Sequence, residues 1–428
     1  MKIDINKLFL IFLPFTQALT ISIFFPLKIS EIALVVLLFF YLNKKVISSS
    51  SIWFCNVNKV VLLFSLIVTI SFIVNIYWGY PYSPKTYLFR VNRVGDSFIR
   101  LCYFYLCLLA YYVSFKFFIK DIKLLDKWIL GALIAAIYGW YLFIFSKLNL
   151  PYIKLPGMDE VPLSLNGFIR CSTFKEGNYF GLYLILSAAI AFYLKKEKEA
   201  WFLLFSVIIT LSTISILSAF VFLVFYFRKK FLKMKFLLKT LPIVVLSVFI
   251  FTKTDFYKLY IYGKIFDSSK TLTTGNFSKV DRIITGQVAI DSGLDNPFFG
   301  VGPANYGLHY DYYNHYKKIV INRNDYFDKL AIRKNVRSIP NNVYLEVLSE
   351  YGVIAFVLFI VFLLSILIKT YYLKEDALTA GMLALILSLN AFPSFIMLFI
   401  WVFISIPFAL EWIKRKDKTN STKIILDN

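Results

Sequence analysis

Long stretches without a charge are what most constrain the fold of this chain. Val60 to Ile76 and Phe356 to Ile368 contain no charged residue, and runs of about 17 to 25 apolar residues are what a helix needs to cross a ~30 Å hydrocarbon core. A transmembrane β-barrel would instead show short segments of alternating character. Composition agrees: 59% of the 428 residues are hydrophobic and 19% aromatic, more apolar surface than a soluble core of this size needs. The sequence predicts an all-α fold, a polytopic bundle of transmembrane helices.

Apolar runs fall near 8–26, 29–42, 60–79, 97–115, 128–146, 178–194, 236–252, 343–368, 377–392 and 395–412. Leu8 to Phe25 follows Lys2 and Lys7 as a signal peptide would, but no small-residue cleavage site comes before Pro26, so it reads as a retained first span. Ala200 to Phe227 is preceded by Lys195, Lys196 and Lys198 and followed by Arg228, Lys229, Lys230, Lys233 and Lys235. Basic residues mark cytoplasmic ends, so this stretch is expected to go out and return, turning near Ser212 to Ser215. Each arm is then only about 13 residues, or ~20 Å, short of a full crossing and suited to a buried or re-entrant hairpin.

With that hairpin the expected count is about 12 spans, with both termini cytoplasmic. Three regions follow: N-terminal transmembrane helices over 1–251 with a smaller external loop at 147–177, a large external loop over 252–342, and C-terminal transmembrane helices with a basic cytoplasmic tail over 343–428. The net charge of +22 is spread over short basic clusters between apolar runs. Such clusters set topology and do not form a nucleic-acid surface. Cys55, Cys102, Cys107 and Cys171 make no CxxC pair, which argues against a zinc site or a disulfide framework. No P-loop occurs, and Gly300-Val301-Gly302 lacks the strand and helix of a dinucleotide site and reads as a turn. Neither a DxD motif nor a cluster of external carboxylates is present, so neither a metal nor any other cofactor is expected.

The polar stretch from Thr252 to Asn342, rich in Arg, Lys, Tyr and Asn, stands out among these apolar segments and is the first place to look for function. Two externally placed arginines share a spacing: Arg170 is followed by ten residues and Gly181, and Arg282 by ten residues and Gly293. A guanidinium offers a planar, permanently charged fork of donors suited to phosphate oxygens. The alternative is a pair of interfacial arginines reaching for lipid headgroups.

The surrounding residues carry a resemblance. Asn166 to Gly181, including Arg170, Phe174, Asn178 and Gly181, resembles a block that leads into a central span in the O-antigen polymerase and ligase superfamily. Asp281-Arg282 followed by Asn296-Pro297-Phe298-Phe299-Gly300-Val301-Gly302-Pro303-Ala304-Asn305-Tyr306 is similar to that family's "R…NPxxGxGxxxY" run. Pro340-Asn341-Asn342-Val343-Tyr344-Leu345-Glu346 with Glu350-Tyr351-Gly352 is similar to its "HNxYLxxxxExG". The resemblance covers roughly 165–370 and departs from the pattern at two places. Asn341 stands where the family commonly has histidine, and no arginine lies at the turn of Ser212 to Ser215.

What the resemblance implies is a glycosyltransferase of the polysaccharide polymerase type in the bacterial inner membrane. It would move a glycan from undecaprenyl pyrophosphate to the non-reducing end of another lipid-linked repeat unit without a metal. A ligase acting on a lipid A core and a flippase for lipid-linked oligosaccharide are the alternatives. Partners would be the lipid-linked oligosaccharide, the bilayer and a separate chain-length regulator, with no nucleic acid. Arg170, Arg282, Asn341 and Glu346 are the expected catalytic residues, and Lys175, Asn178, Tyr306, His309, His315, Asn342 and Tyr344 the expected substrate contacts. Asparagine takes up no proton at neutral pH, so the base is absent, unnecessary, or one of Glu346, Glu176, His309 and His315.

Overall fold

The structure is a computed structural model that describes residues 4–22, 26–43, 56–78, 93–158, 160, 167–231, 252–253, 277–313 and 338–426. Its α-helices of eight residues or more are α1 (Ile5–Phe12), α2 (Ile29–Asn43), α3 (Asn56–Trp78), α4 (Arg93–Lys120), α5 (Leu125–Lys147), α6 (Gly177–Tyr193), α7 (Glu197–Ser206), α8 (Thr213–Tyr226), α9 (Phe277–Asp295), α10 (Tyr306–Tyr313), α11 (Val343–Tyr372), α12 (Asp376–Ser388) and α13 (Leu398–Leu426). Four of these regions are long and apolar enough to cross a bilayer: Lys59–Tyr77, Arg93–Lys120, Ile122–Lys147 and Val343–Tyr372. Shorter apolar helices cover Ile29–Phe39, Gly177–Tyr193, Thr213–Tyr226 and Asp376–Ala391. The expected span 236–252 lies outside the described residues except for Thr252.

The first expected span, 8–26, is not one helix. Asp4 caps α1 by accepting from the Asn6 N–H, and the helix stops at Phe12. Proline at position 14 has no N–H to continue the ladder and disfavours a helical residue before it. The chain then passes through turns into a two-residue antiparallel pair, Ile21–Ser22 against Pro26–Leu27.

The expected hairpin between 200 and 227 is present. α7 runs into a 3-10 turn over Val207–Thr210, Leu211 takes a left-handed backbone, and Ser212 caps α8. Trp201 and Phe227 stack with ring centroids 5.8 Å apart, whereas a straight helix would separate them by about 39 Å. Basic residues at the two feet of the hairpin are tied down by Lys196–Asp126 at 2.9 Å and Arg228–Asp376 at 2.7 Å, and Lys414 of α13 pairs with Glu375 at 2.7 Å.

At the centre, α6 is buried at every position from Gly177 to Phe192, as a helix that is apolar all round must be. Towards α5 it accepts a hydrogen bond, Trp128 Nε1 donating to Ser187 Oγ at 2.7 Å. Phe64 of α3, Phe104 of α4, Phe359 of α11 and Phe395 pack as an aromatic cluster with centroids 5.7–5.8 Å apart.

The turn at Gly300 to Gly302 docks into a break in α11. Gly352 has φ 85 and ψ 178 inside that helix, and the loop hydrogen-bonds across the gap. Val301 N donates to Ser349 O at 2.9 Å, Gly302 N to Glu350 O at 3.0 Å and Val353 N to Pro297 O at 2.7 Å. Ser71 of α3 adds its hydroxyl to Phe299 O and Glu350 O at 2.6 and 3.0 Å. The sequence blocks "NPFFGVG" and "EYG" are two halves of one backbone joint.

Candidate active site

A cavity of about 340 Å³ opens where helix beginnings meet. Lys28 stands just before α2, Lys175 and Glu176 just before α6, Tyr306 and Gly307 open α10, Glu346 lies in the first turn of α11, Ser394 and Met397 stand just before α13, and Arg100 lies two turns into α4. The starts of five helices therefore face one space. Unpaired N–H groups and the helix dipole make such a place favourable to anions.

Arg100 holds the centre. Its guanidinium forms an ion pair with Glu346, and NH2 donates to Ser394 Oγ at 2.7 Å. Glu346 accepts from Phe395 N at 3.3 Å through its other oxygen. The side chains of Arg100 and Glu346 are only 17% and 1% exposed, and the aromatic cluster around Phe395 and Phe104 lies against them. Arg100 Nε is buried without a hydrogen-bond partner among the described residues. Lys28 is bound to Glu31 in the first turn of α2, with Nζ 2.8 Å from Oε1 and N 3.0 Å from Oε2.

Of the residues expected from sequence, Lys175, Tyr306 and Glu346 line this cavity, as does Glu176. The Tyr306 hydroxyl donates to Thr285 O at 2.7 Å, so the wall receives its ring. Arg170 is not in the lining. Glu160 accepts from Arg170 N and Cys171 N at 3.1 and 2.8 Å, and Arg170 Nε lies 3.7 Å from Glu160 Oε1. Arg282 is exposed on α9. The glycine of each arginine-ten-glycine pair is a close-packing point: a Cβ on Gly181 would stand 2.3 Å from Ser215 Oγ, and one on Gly293 2.7 Å from Leu348 Cγ.

Several expected substrate contacts are committed elsewhere. Asn342 is the N-cap of α11, accepting from Tyr344 N and Leu345 N at 2.9 and 3.3 Å. The Tyr344 hydroxyl donates to Ile386 O at 2.6 Å, and Asn178 Nδ2 to Ala391 O at 2.6 Å. Asn341 Nδ2 donates to Asp281 Oδ2 at 3.0 Å. His309 is buried on α10, and burial, with Arg93 nearby, pushes its pKa down to about 4, so it is neutral at pH 7. His315 lies outside the described residues. No group of three or more His, Cys, Asp or Glu that would hold a metal occurs among the described residues.

Sequence reasoning passed over Arg100 and Lys28. The signal was there for Arg100, a lone arginine inside the apolar run 97–115, because an ionisable residue within a span is a functional candidate by default.

The apolar helices and the polar cavity at their ends mark a multi-pass membrane protein, and in that cavity Lys28, Arg100 and Lys175 stand among Glu176, Glu346 and Glu350. Residues 199–360 match the family model Wzy_C, O-antigen ligase, and this match supports the O-antigen ligase and polymerase superfamily, whose members are membrane glycosyltransferase-like enzymes. No curated protein matches the chain.

Proposed function

We propose that this protein is an inner-membrane glycosyltransferase that takes a glycan from undecaprenyl pyrophosphate and adds it to the non-reducing end of another lipid-linked repeat unit, as a polysaccharide polymerase. The observation that carries this reading is the convergence of five helix starts with Lys28, Arg100 and Lys175 on one cavity. Cations and helix starts there suit a pyrophosphate and stabilise the charge it gains on leaving.

In this reading the chain crosses the membrane about 12 times with both termini cytoplasmic, and the cavity faces outward beneath the external loop. Arg170, at the head of the segment that leads to Lys175, and Arg282, on the open face of α9, meet the parts of the donor that extend beyond the cavity. A chain-length regulator in the same membrane is the proposed protein partner, and no nucleic acid is involved. The O-antigen ligase description of the matched family favours a second reading, in which the acceptor is a lipid A core.

The test is purified protein with chelator and a lipid-pyrophosphate-linked repeat unit, products resolved by size. A ladder of lengthening glycans, lost in Arg170→Ala and Arg282→Ala, supports the polymerase. Transfer only onto an added lipid A core acceptor selects the ligase, and a ladder that survives Arg170→Ala removes Arg170 from the reaction.

A further inference from the structure

Asn341 occupies the position of the histidine in the resembled family, and its side chain is not idle. Its Nδ2 donates to Asp281 Oδ2 at 3.0 Å. Asp281 lies on α9 one turn before Thr285, and positions four apart share a helix face. Thr285 takes the Tyr306 hydroxyl on its carbonyl at 2.7 Å and donates its own hydroxyl to Pro340 O at 3.4 Å. Tyr306 and Pro340 both line the cavity. Asp281 and Asn341 are not themselves in that lining: the carboxylate stands one layer behind Tyr306 and Pro340, where α9, α10 and the start of α11 meet, held by the residue that replaces the family's histidine.

We propose that Asp281 is the proton acceptor of the transfer and that Asn341 orients it. This rests on the glycosyltransferase reading above. In the step, the acceptor hydroxyl gives its proton through one water to an Asp281 oxygen while its own oxygen bonds to the anomeric carbon of the donor. The bond from that carbon to the phosphate oxygen breaks, and its electron pair leaves with the lipid pyrophosphate. The proton then passes from Asp281 to water. Asn341 occupies Oδ2 and leaves Oδ1 for the proton.

The charged and titratable groups around Asp281 are Arg282 on its own helix, and Tyr306 and Tyr310 of α10. Asp311 lies beside Tyr310, and Glu350 of α11 beside Tyr306. Burial raises the Asp281 pKa above the ordinary carboxylate value, against the lowering effects of Asn341 and Arg282. Turnover should therefore fall on the acid side, with its limb displaced upward from the ordinary aspartate value.

The experiment measures glycan transfer by the full chain from a lipid-pyrophosphate-linked repeat unit as a function of pH. Asp281→Asn should lower kcat by about 100- to 10,000-fold, the range of a lost general base, with donor KM little changed. Asn341→Ala should move the acid limb to higher pH by removing the hydrogen bond that favours the ionised carboxylate. Asp281→Asn combined with Asn341→His should regain part of the rate, with an acid limb in the histidine range, which a merely structural Asp281 would not permit. If Asp281→Asn transfers at the wild-type rate, or if no variant moves the acid limb, Asp281 is not the base although the glycosyltransferase reading stands. Absence of transfer by the wild type overturns both.

Discussion

Replacing Gly352 by alanine tests the joint on which the site is hung. Gly352 has φ 85 and ψ 178, a combination almost restricted to glycine and costing a side-chain-bearing residue about 1–3 kcal/mol. A Cβ there would also stand 2.6 Å from Pro297 O and 2.8 Å from Phe298 O. The loop escapes this overlap by leaving α11, and it then gives up the bonds from Val301, Gly302 and Val353. At about 1 kcal/mol net for each of these bonds, detachment costs roughly 3 kcal/mol. The cheaper route sets the effect, so the opening equilibrium shifts by on the order of 100-fold, at about 1.4 kcal/mol per factor of ten. Hydrogen–deuterium exchange on protein in detergent reads this directly. Amides over 296–303 and 345–353 should exchange on the order of 100-fold faster, while those of α5 and α6 keep wild-type rates. Transfer should fall in parallel, because Glu346 and Glu350 ride on α11 beside the joint. Unchanged exchange at the joint refutes the docking argument, and equal acceleration in α5 and α6 refutes its locality.

Two further perturbations follow from the site. Glu346→Ala leaves the Arg100 guanidinium buried without its carboxylate and should destabilise the protein by about 3–5 kcal/mol, whereas Arg100→Met with Glu346→Leu should recover most of that stability and none of the transfer. Thermal inactivation in detergent reads the first effect, and a Glu346→Ala variant as stable as wild type would mean the pair does not hold α4 to α11. The His309 pKa is lowered in the folded loop from 6.5 to about 4, so between those values the unfolded chain binds more protons and stability falls as pH falls. His309→Phe should abolish that loss between about pH 6.5 and about pH 4 and change nothing above it. Equal losses of thermal midpoint in wild type and variant on acidification would assign the effect to another group.

The long helices were legible because the apolar period and the lysine clusters act locally: Lys195 to Lys198 and Arg228 to Lys230 lie at the two feet of one hairpin. The first span was misjudged because apolar character says nothing about backbone donors, and Pro14 ends α1 after Phe12. Asn342 and Tyr344 are expected as substrate contacts from the resemblance of their block. Only the fold reveals a cap and a bond to Ile386. Lys28 was missed because nothing near it in sequence marks the Glu346 and Tyr306 that share its cavity, whereas Arg100, alone among apolar residues, carried a signal that was passed over.

The motif blocks carry a different lesson. Asn296 to Gly302 and Glu350 to Gly352 meet backbone to backbone, and a Cβ on Gly300 would lie 2.3 Å from the Glu350 carbonyl carbon. Such a joint demands glycine and little else from its side chains. Similarity in those blocks therefore reports how the loop is fastened to α11 and says little about which substrate is held. Lys28, Arg100 and Lys175, which give the cavity its cations, all precede the matched segment 199–360. The segment that matches the superfamily model and the residues that supply the cavity's cations are thus separate in sequence, and the starts of α2, α6 and α11 with the second turn of α4 bring them together.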